Sequence, residues 1–408
     1  MTLKIGLICM SEDPPQDEES ENLPNPFAGL SGDIKERIEE EKKSAAHDEQ
    51  QAALDFIRIF RLKERLSALQ GPNEQIEVML SGPLVSKTIH KDPITSVSFI
   101  DDSICASVGM DQRIHFWNPL DDTVVKTLDQ TAYKGQLVTT PDRSLLACGS
   151  LDKTVQMWST SDGELIQTLD LGGFGVLSVA IHPDGSMMAS GLYNGNVRLT
   201  DIQTLETHAE FRAHEGAVTA LSFSSTGNTF ATGGEDGSVN VWKLPDPTHI
   251  AGSSEFGKPI NSLVMLDDDR SVLVAFDHKL IHQWNTHERE ITGTFSGHSG
   301  EVYSLSISPD RTLLASGSKD NTIRIWDIDS FIERKTLRGN RGRINDVRFS
   351  NDGDYLFSGN SEGEVAYWGV QLDVTQRVLD IVEQMLIDGG FNVRRTRKQT
   401  VLISLATN

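Results

Sequence analysis

Apolar and polar residues alternate along residues 82–370 in short runs, each broken by Gly, Asp, Asn, Ser or Pro. Residues 297–337 show the unit clearly. Gly297-His298-Ser-Gly-Glu precedes Val302-Tyr-Ser-Leu-Ser-Ile307, and Ser-Pro-Asp310 leads to Leu313-Leu-Ala-Ser-Gly-Ser318. Lys-Asp-Asn321 then leads to Thr322-Ile-Arg-Ile-Trp-Asp327, and Arg334-Lys-Thr-Leu337 completes the unit. A period of two marks half-buried strands, and the intervening residues are turn formers. Each unit therefore holds four strands and has no room for a helix.

The unit repeats. All six tryptophans fall at its third strand: Trp117, Trp158, Trp242, Trp284, Trp326 and Trp368, at intervals of 41, 84, 42, 42 and 42. The interval of 84 is two periods, and its midpoint is Thr200, in Val-Arg-Leu-Thr-Asp-Ile, a copy of Ile-Arg-Ile-Trp326-Asp-Ile. Seven repeats follow, the third with Thr in the Trp place. Helical and leucine-rich solenoids are excluded by the strand content.

Period, Trp phase, Gly-His and Trp-Asp pairs and a Ser-x-x-x-Asp spacing make residues 82–370 resemble the WD40 family, whose blades occupy roughly 40–45 residues each. The resemblance implies an all-β, seven-bladed WD40 β-propeller, to which the flanking residues add an N-terminal helical extension and a short C-terminal helix-strand tail. It also implies a buried His–Ser/Thr–Asp–Trp network in each blade. Carried onto this chain, the network is His90, Ser107, Asp111 and Trp117 in repeat one. In repeat four it is His214, Thr232, Asp236 and Trp242, and in repeat six His298, Ser316, Asp320 and Trp326. The others are incomplete: repeat two has Gln130 and Cys148 in the His and Ser places, repeat five has Val274 and His278 for Ser and Asp, and repeat seven has Asn340 and Glu362. Blades three and five are expected to be the least rigid, because a partly satisfied polar network loses its cooperative benefit.

The segment Pro83–Ile89 occupies a fourth-strand place ahead of repeat one, whereas no such strand directly follows Trp368. Residues 83–89 are expected to complete the seventh blade and close the ring, which removes exposed strand edges. Residues 1–32 are acidic and proline-dotted, a disordered composition. Residues 33–71 read as a helical extension opened by the capping box Asp33-x-x-Glu36 and ended by Gly71-Pro72. Its second part has an apolar face of Phe56, Ile59, Phe60, Leu62, Leu66 and Leu69, suited to packing on the propeller or to a partner or coiled coil. In the tail, 371–408, Val378, Ile381, Val382, Met385 and Leu386 share one helical face; a basic cluster, Arg394–Lys398, reads as a solvated turn before the strand-like run Val401–Leu405.

Charge narrows the partners. The formal charge is −22, and 81–370 alone carries −15. A body this acidic repels phosphate backbones and disfavours nucleic acid as its main partner, while basic protein surfaces are accommodated. Three scattered cysteines, Cys9, Cys105 and Cys148, fit a reducing compartment, cytoplasmic or nuclear. The brief apolar start has no Ala-x-Ala-like site and runs into Ser-Glu-Asp-Pro-Pro, which reads against a secretory signal. No run approaches the roughly 20 apolar residues of a membrane span, so no membrane insertion is expected.

No catalytic constellation, cofactor motif or metal spacing stands out. The Ser, His and Asp of one blade form a repeated structural set rather than a hydrolase triad. His278 and His282 would stand about 13 Å apart on a strand, too far to share a metal. Asp267–Asp269 lacks calcium-loop spacing, and Gly172-Gly-Phe-Gly175 lacks the following Lys-Ser/Thr of a phosphate cradle. The expectation is a non-catalytic scaffold or adaptor that binds other proteins. In the family the top face is the usual docking surface; here its turns carry Met110, Leu151, Tyr193, Glu235, Lys319 and Glu362, and its first-strand loops Phe174, Leu177, Tyr303 and Arg343. Large apolar, aromatic and Arg side chains are typical interface anchors. Alternative expectations are a ribosome-assembly or splicing subunit that contacts RNA through Arg394–Lys398, a G-protein-β-like signalling subunit, or a ubiquitin-ligase substrate receptor. The last is weakened because Trp326-Asp-Ile-Asp329 lacks the Arg of a Trp-Asp-x-Arg motif.

Overall fold

The computed structural model describes residues 75–79, 83–370, 391–395 and 400–405, except Asp102, 130–134 and 267–268. The acidic segment 1–32, the helix expected over 33–71 with its apolar face, and the helix expected within 371–390 lie outside the described residues. Every regular element described is a strand.

Residues 85–369 form seven four-stranded antiparallel sheets, the blades of a propeller. Blade 3 is typical: Val176–Ile181, Met187–Leu192, Asn196–Asp201 and Thr207–Arg212, in sequential order from the innermost strand outward. Burial peaks on the second strand and falls outward from it. The second strand is almost wholly buried, while the outermost exposes alternate side chains. The first two strands of a blade face neighbouring blades on both sides, which is why they carry continuous apolar runs. Seven apolar clusters form the core, one in each seam between adjacent blades. The six tryptophans share one register, each opposite a residue two before the Ser/Thr place, as in Trp326 opposite Leu314 and Trp242 opposite Phe230. Thr200, opposite Met188, occupies the same register in blade 3.

Two features close the circle. Val85–Thr88 pairs with Glu364–Gly369 in the register Val85 to Tyr367 and Thr88 to Glu364, supplying the outer strand of blade 7 from the front of the domain. Lys87 on this strand reaches across to the Asp122 carbonyl of blade 1 at 2.6 Å. The second feature is a ring of hydrogen bonds between innermost strands. Ser96 Oγ accepts the Leu137 N–H (3.1 Å), Gln136 Oε1 accepts Val179 N–H (2.9 Å), and Ser178 Oγ donates to the Val218 carbonyl (2.9 Å). Ser222, Ser262 and Ser304 then accept the N–H groups of Met265, Leu305 and Val347 at 3.1–3.2 Å. Asp346 completes the circle by accepting Val97 N–H at 2.9 Å. It also accepts the hydroxyls of Ser96 (2.7 Å) and Ser304 (2.6 Å), so one carboxylate ties blades 6, 7 and 1 together.

Close seams constrain the second strands as well. A Cβ at Gly233 would stand 2.5 Å from Ile260 Cγ2 of the next blade, so only glycine lets that seam close.

A separate three-stranded antiparallel sheet joins Gln75–Met79 to Thr400–Leu405 and the latter to Phe391–Arg395. The run 401–405 is a strand, as its sequence pattern predicts. Arg394 and Arg395, expected in a solvated turn, instead end the strand Phe391–Arg395, because Val401 and Leu402 offer them backbone partners. The remainder of the basic cluster lies outside the described residues.

Because Asp346 is 4% exposed and holds donors from three blades, its loss strands buried donors. Asp346→Ala is expected to cost about 3 kcal/mol or more, read as a lowered midpoint in urea unfolding; an unchanged midpoint would show that ring closure does not depend on this carboxylate.

Candidate functional site

Beneath the face formed by the second-to-third strand turns lie the buried networks. In blade 6, His298 Nδ1 lies 2.9 Å from Asp320, its Nε2 2.7 Å from Ser316 Oγ, and Trp326 Nε1 donates to the same hydroxyl at 2.8 Å. Asp320 further accepts the backbone N–H of Ser299 (2.9 Å) and the hydroxyl of Thr322 (2.6 Å). Burial pushes the Asp320 carboxyl up, but the hydrogen bonds from His298 and Thr322 outweigh it and hold it well below the usual carboxylate range. In blade 4, His214 meets Thr232 (2.8 Å) and Asp236 (3.1 Å), and Trp242 donates to Thr232 at 3.2 Å. The hydroxyls of Ser316 and Thr232 are buried beneath these rings, out of reach of a substrate.

Blade 1 departs from the expected set. His90 contacts Asp111 (2.9 Å) and Ser107 (2.8 Å), but Trp117 Nε1 turns away and donates to Asp122 at 3.2 Å. His115 packs edge-on to His90 with ring centroids 4.5 Å apart, closer than the 5.9 Å between His298 and Trp326 in blade 6. Trp117 stacks instead on Phe357 of blade 7, centroids 5.8 Å apart. Blade 7 lacks the His yet keeps the Trp368–Ser358 bond at 2.8 Å. Blades 3 and 5 retain the gaps read from their sequences. Ser190 and Thr200 hydroxyls in blade 3 and Trp284 Nε1 in blade 5 are buried without a hydrogen-bond partner.

The face above divides into two parts. Met110, Leu177, Glu235, Tyr303 and Arg343 line one cavity of about 350 Å³ at the mouth of the central channel. There Arg343 lies over the Tyr303 ring at 5.5 Å, Tyr303 donates to Glu301 at 2.9 Å, and Lys319 pairs with Glu301 at 2.9 Å. Leu151, Phe174 and Tyr193 stand outside that cavity, together at the rim of blades 2 and 3. Tyr193 N–H donates to the Gly175 carbonyl (2.9 Å), and a Cβ on Gly175 would meet Leu151 at 3.0 Å. These three side chains are 38%, 48% and 58% exposed, an apolar group that water would otherwise cover. Lys319 and Glu362 are exposed and do not line the cavity. His278 and His282, expected about 13 Å apart on one strand, instead both stack on Phe276 with centroids at 5.5 Å, because His278 lies ahead of the strand Leu280–Asn285.

Seven circularly arranged four-stranded blades with a polar channel mouth and an apolar rim define a propeller of the repeat-protein class. The WD40 family profile (WD domain, G-beta repeat) matches residues 82–118, 131–159, 163–201, 205–243, 289–327 and 332–368, over half of the chain, and the chain belongs to this family. Blade 5, where Val274 replaces the network Ser/Thr, falls between the matched segments. Among curated relatives, the chain is 29% identical over 155 residues to the Periodic tryptophan protein 2 homolog of Dictyostelium discoideum, covering 37% of this chain and 17% of that protein. It is 26% identical over 265 residues to the Pre-mRNA-processing factor 19 homolog 2 of Arabidopsis thaliana, covering 61% and 49%. It is 33% identical over 136 residues to the Small ribosomal subunit protein RACK1 of Schizosaccharomyces pombe, covering 31% and 43%. The chain thus spans less than half the length of each of these relatives.

Two expectations follow from the networks. Burial lowers the affinity of His214 for a proton more than Asp236 raises it, so the folded protein holds the ring neutral. The unfolded chain takes up that proton near pH 6.5, so stability is full above this pH and declines as pH falls below it. The urea midpoint should therefore drop between pH 8 and pH 5, and His214→Asn should flatten that descent. In blade 5, Val274→Thr supplies the missing acceptor for Trp284 and is expected to raise stability by roughly 1 kcal/mol; a lower midpoint would mean that the indole does not reach the new hydroxyl.

Proposed function

We propose that the protein is a non-catalytic scaffold or adaptor subunit that holds a segment of another protein across the top face of its propeller. The observation that carries this reading is the convergence of Met110, Leu177, Glu235, Tyr303 and Arg343 on one cavity beside the exposed group Leu151, Phe174 and Tyr193. Aromatic and Arg side chains at the centre of a patch are the groups whose desolvation anchors protein interfaces. The cavity supplies polar groups for register, and the rim supplies apolar area. An acidic body favours a partner that is basic overall, through long-range attraction.

The relatives support a finer assignment to a nuclear or cytoplasmic ribonucleoprotein assembly, since one is a small ribosomal subunit protein and another a pre-mRNA-processing factor. In this reading the chain contributes protein contacts within such an assembly, and the apolar face read in the 33–71 extension, from Phe56 to Leu69, is a second contact. Among the described residues no helix is long and apolar enough to cross a membrane.

The test is affinity purification with the paired substitution Phe174→Ala and Tyr193→Ala. Both side chains are solvent-exposed, so the thermal unfolding profile should stay as in the unsubstituted protein while at least one stoichiometric partner is lost or weakened tenfold or more. An unchanged set of partners would refute top-face binding through this rim.

A further inference from the structure

His115 has no role in the repeated network. In blades 4 and 6 its register position holds Asn240 and Arg324, whose polar groups are used locally: Asn240 donates to the Ala213 carbonyl at 2.9 Å, and Arg324 pairs with Glu333. In blade 1 the position places a second imidazole against the His90–Asp111 pair. Each ring is fixed by a hydroxyl at one nitrogen: His90 Nε2 to Ser107 Oγ at 2.8 Å, and His115 Nδ1 to Thr127 Oγ1 at 2.8 Å. The other nitrogens remain. His90 Nδ1 stands 2.9 Å from Asp111 Oδ1, and His115 Nε2 is buried with no hydrogen-bond partner. One donor atom from each of the three residues lies within 4.8 Å of the others. His90 and His115 are 3% and 6% exposed.

We propose that His90, Asp111 and His115 form a binding site for one divalent cation that favours imidazole, of the zinc type. Metal-bound histidines typically have their second nitrogen held by an outer hydrogen-bond partner, the arrangement that Ser107 and Thr127 provide. Two imidazoles and one carboxylate, with a position left for water, are a set that zinc accepts. In a tetrahedral site, metal–ligand bonds of about 2.0–2.2 Å place donors roughly 3.3–3.6 Å apart. His90 Nδ1 and Asp111 Oδ1, 2.9 Å apart, open by about half an ångström as the ion replaces the shared proton, and His115 closes from within 4.8 Å. Binding replaces the proton shared between His90 and Asp111. A cavity of about 250 Å³ lined by Lys91, Asp92, Met110, Gln112 and Arg113 opens onto Asp111 and gives the ion its way in and a place for the water. Arg113 on that wall faces Asp129 at 3.8 Å, which tempers its repulsion of a cation. The pairing of His with Asp alone, as in blades 4 and 6, leaves His115 Nε2 unused.

The full chain, stripped with a chelator, is titrated with Zn²⁺ and with Co²⁺. The expected result is one saturable equivalent, a visible Co²⁺ absorption band of a site with nitrogen and oxygen ligands, and a rise in melting temperature on metal addition. His115→Gln should weaken binding at least tenfold and abolish both the band and the rise in melting temperature on metal addition, each read against the same variant free of metal. Should that variant fold poorly, Thr127→Val, which only frees the His115 ring, is expected to weaken binding about tenfold. Absence of saturable binding, or equal binding by the variant that folds, would overturn the site.

Discussion

A propeller blade cannot stand alone: its apolar first and second strands are covered only when a neighbour lies on each side. Everything in this protein therefore depends on closing a circle, and the chain closes it twice over. Val85–Thr88 completes the blade formed by the last three propeller strands, so an outer strand from one end of the domain is hydrogen-bonded to the other. The inner-strand bonds then run round the channel, and Asp346 joins the seventh blade to the first with a charged acceptor where other blades use serine or glutamine. Charge-assisted bonds are the stronger kind. It is physically apt that the strongest acceptor sits at the seam made of segments some 250 residues apart.

The seven blades meet this common demand unequally. Blades 4 and 6 lock the turn between their second and third strands through His, Asp, hydroxyl and Trp together. Blade 7 keeps the Trp368–Ser358 bond without the His, while blades 3 and 5 leave atoms at the network positions themselves, Ser190, Thr200 and Trp284 Nε1, buried with no partner. Blade 3 also bears Phe174 and Tyr193 at the exposed rim. A blade with gaps in its own network thus also offers large apolar side chains at the exposed rim. A rim whose internal ties are weak can adjust to a bound segment at low cost, and such adaptability belongs to the low-stability end of a structure.

Most of the fold was legible in the chain because its determinants are local and recur: period-two strands, turn residues and the Trp phase. The closing strand was legible too, as a fourth-strand pattern ahead of the first repeat with none directly behind the last. Asp346 left a signal, standing where aligned repeats place Ser96, Ser178, Ser262 and Ser304, with Ala220 in blade 4. Other features were hidden by distance. Nothing local marks Gln75–Met79 as the partner of Thr400–Leu405, and their pairing draws Arg394 and Arg395 into a strand rather than a turn. Trp117 was misread for a different reason: its sequence position is regular, and only the bulk of His115 and the carboxylate of Asp122 redirect the indole. Of the expected top-face residues, five share a cavity and three share a rim, a division that depends on how far each turn leans over the channel mouth.

The closing strand has a consequence for how the molecule is made. Residues 83–89 emerge from the ribosome first among the propeller segments, yet their partner strand, Glu364–Gly369, is translated last. Until then the nascent chain holds an open arc whose two end faces are apolar and whose first strand has no mate. For most of its synthesis the protein is therefore a surface seeking a cover, and its early life depends on whatever shields those two faces until translation delivers the final blade.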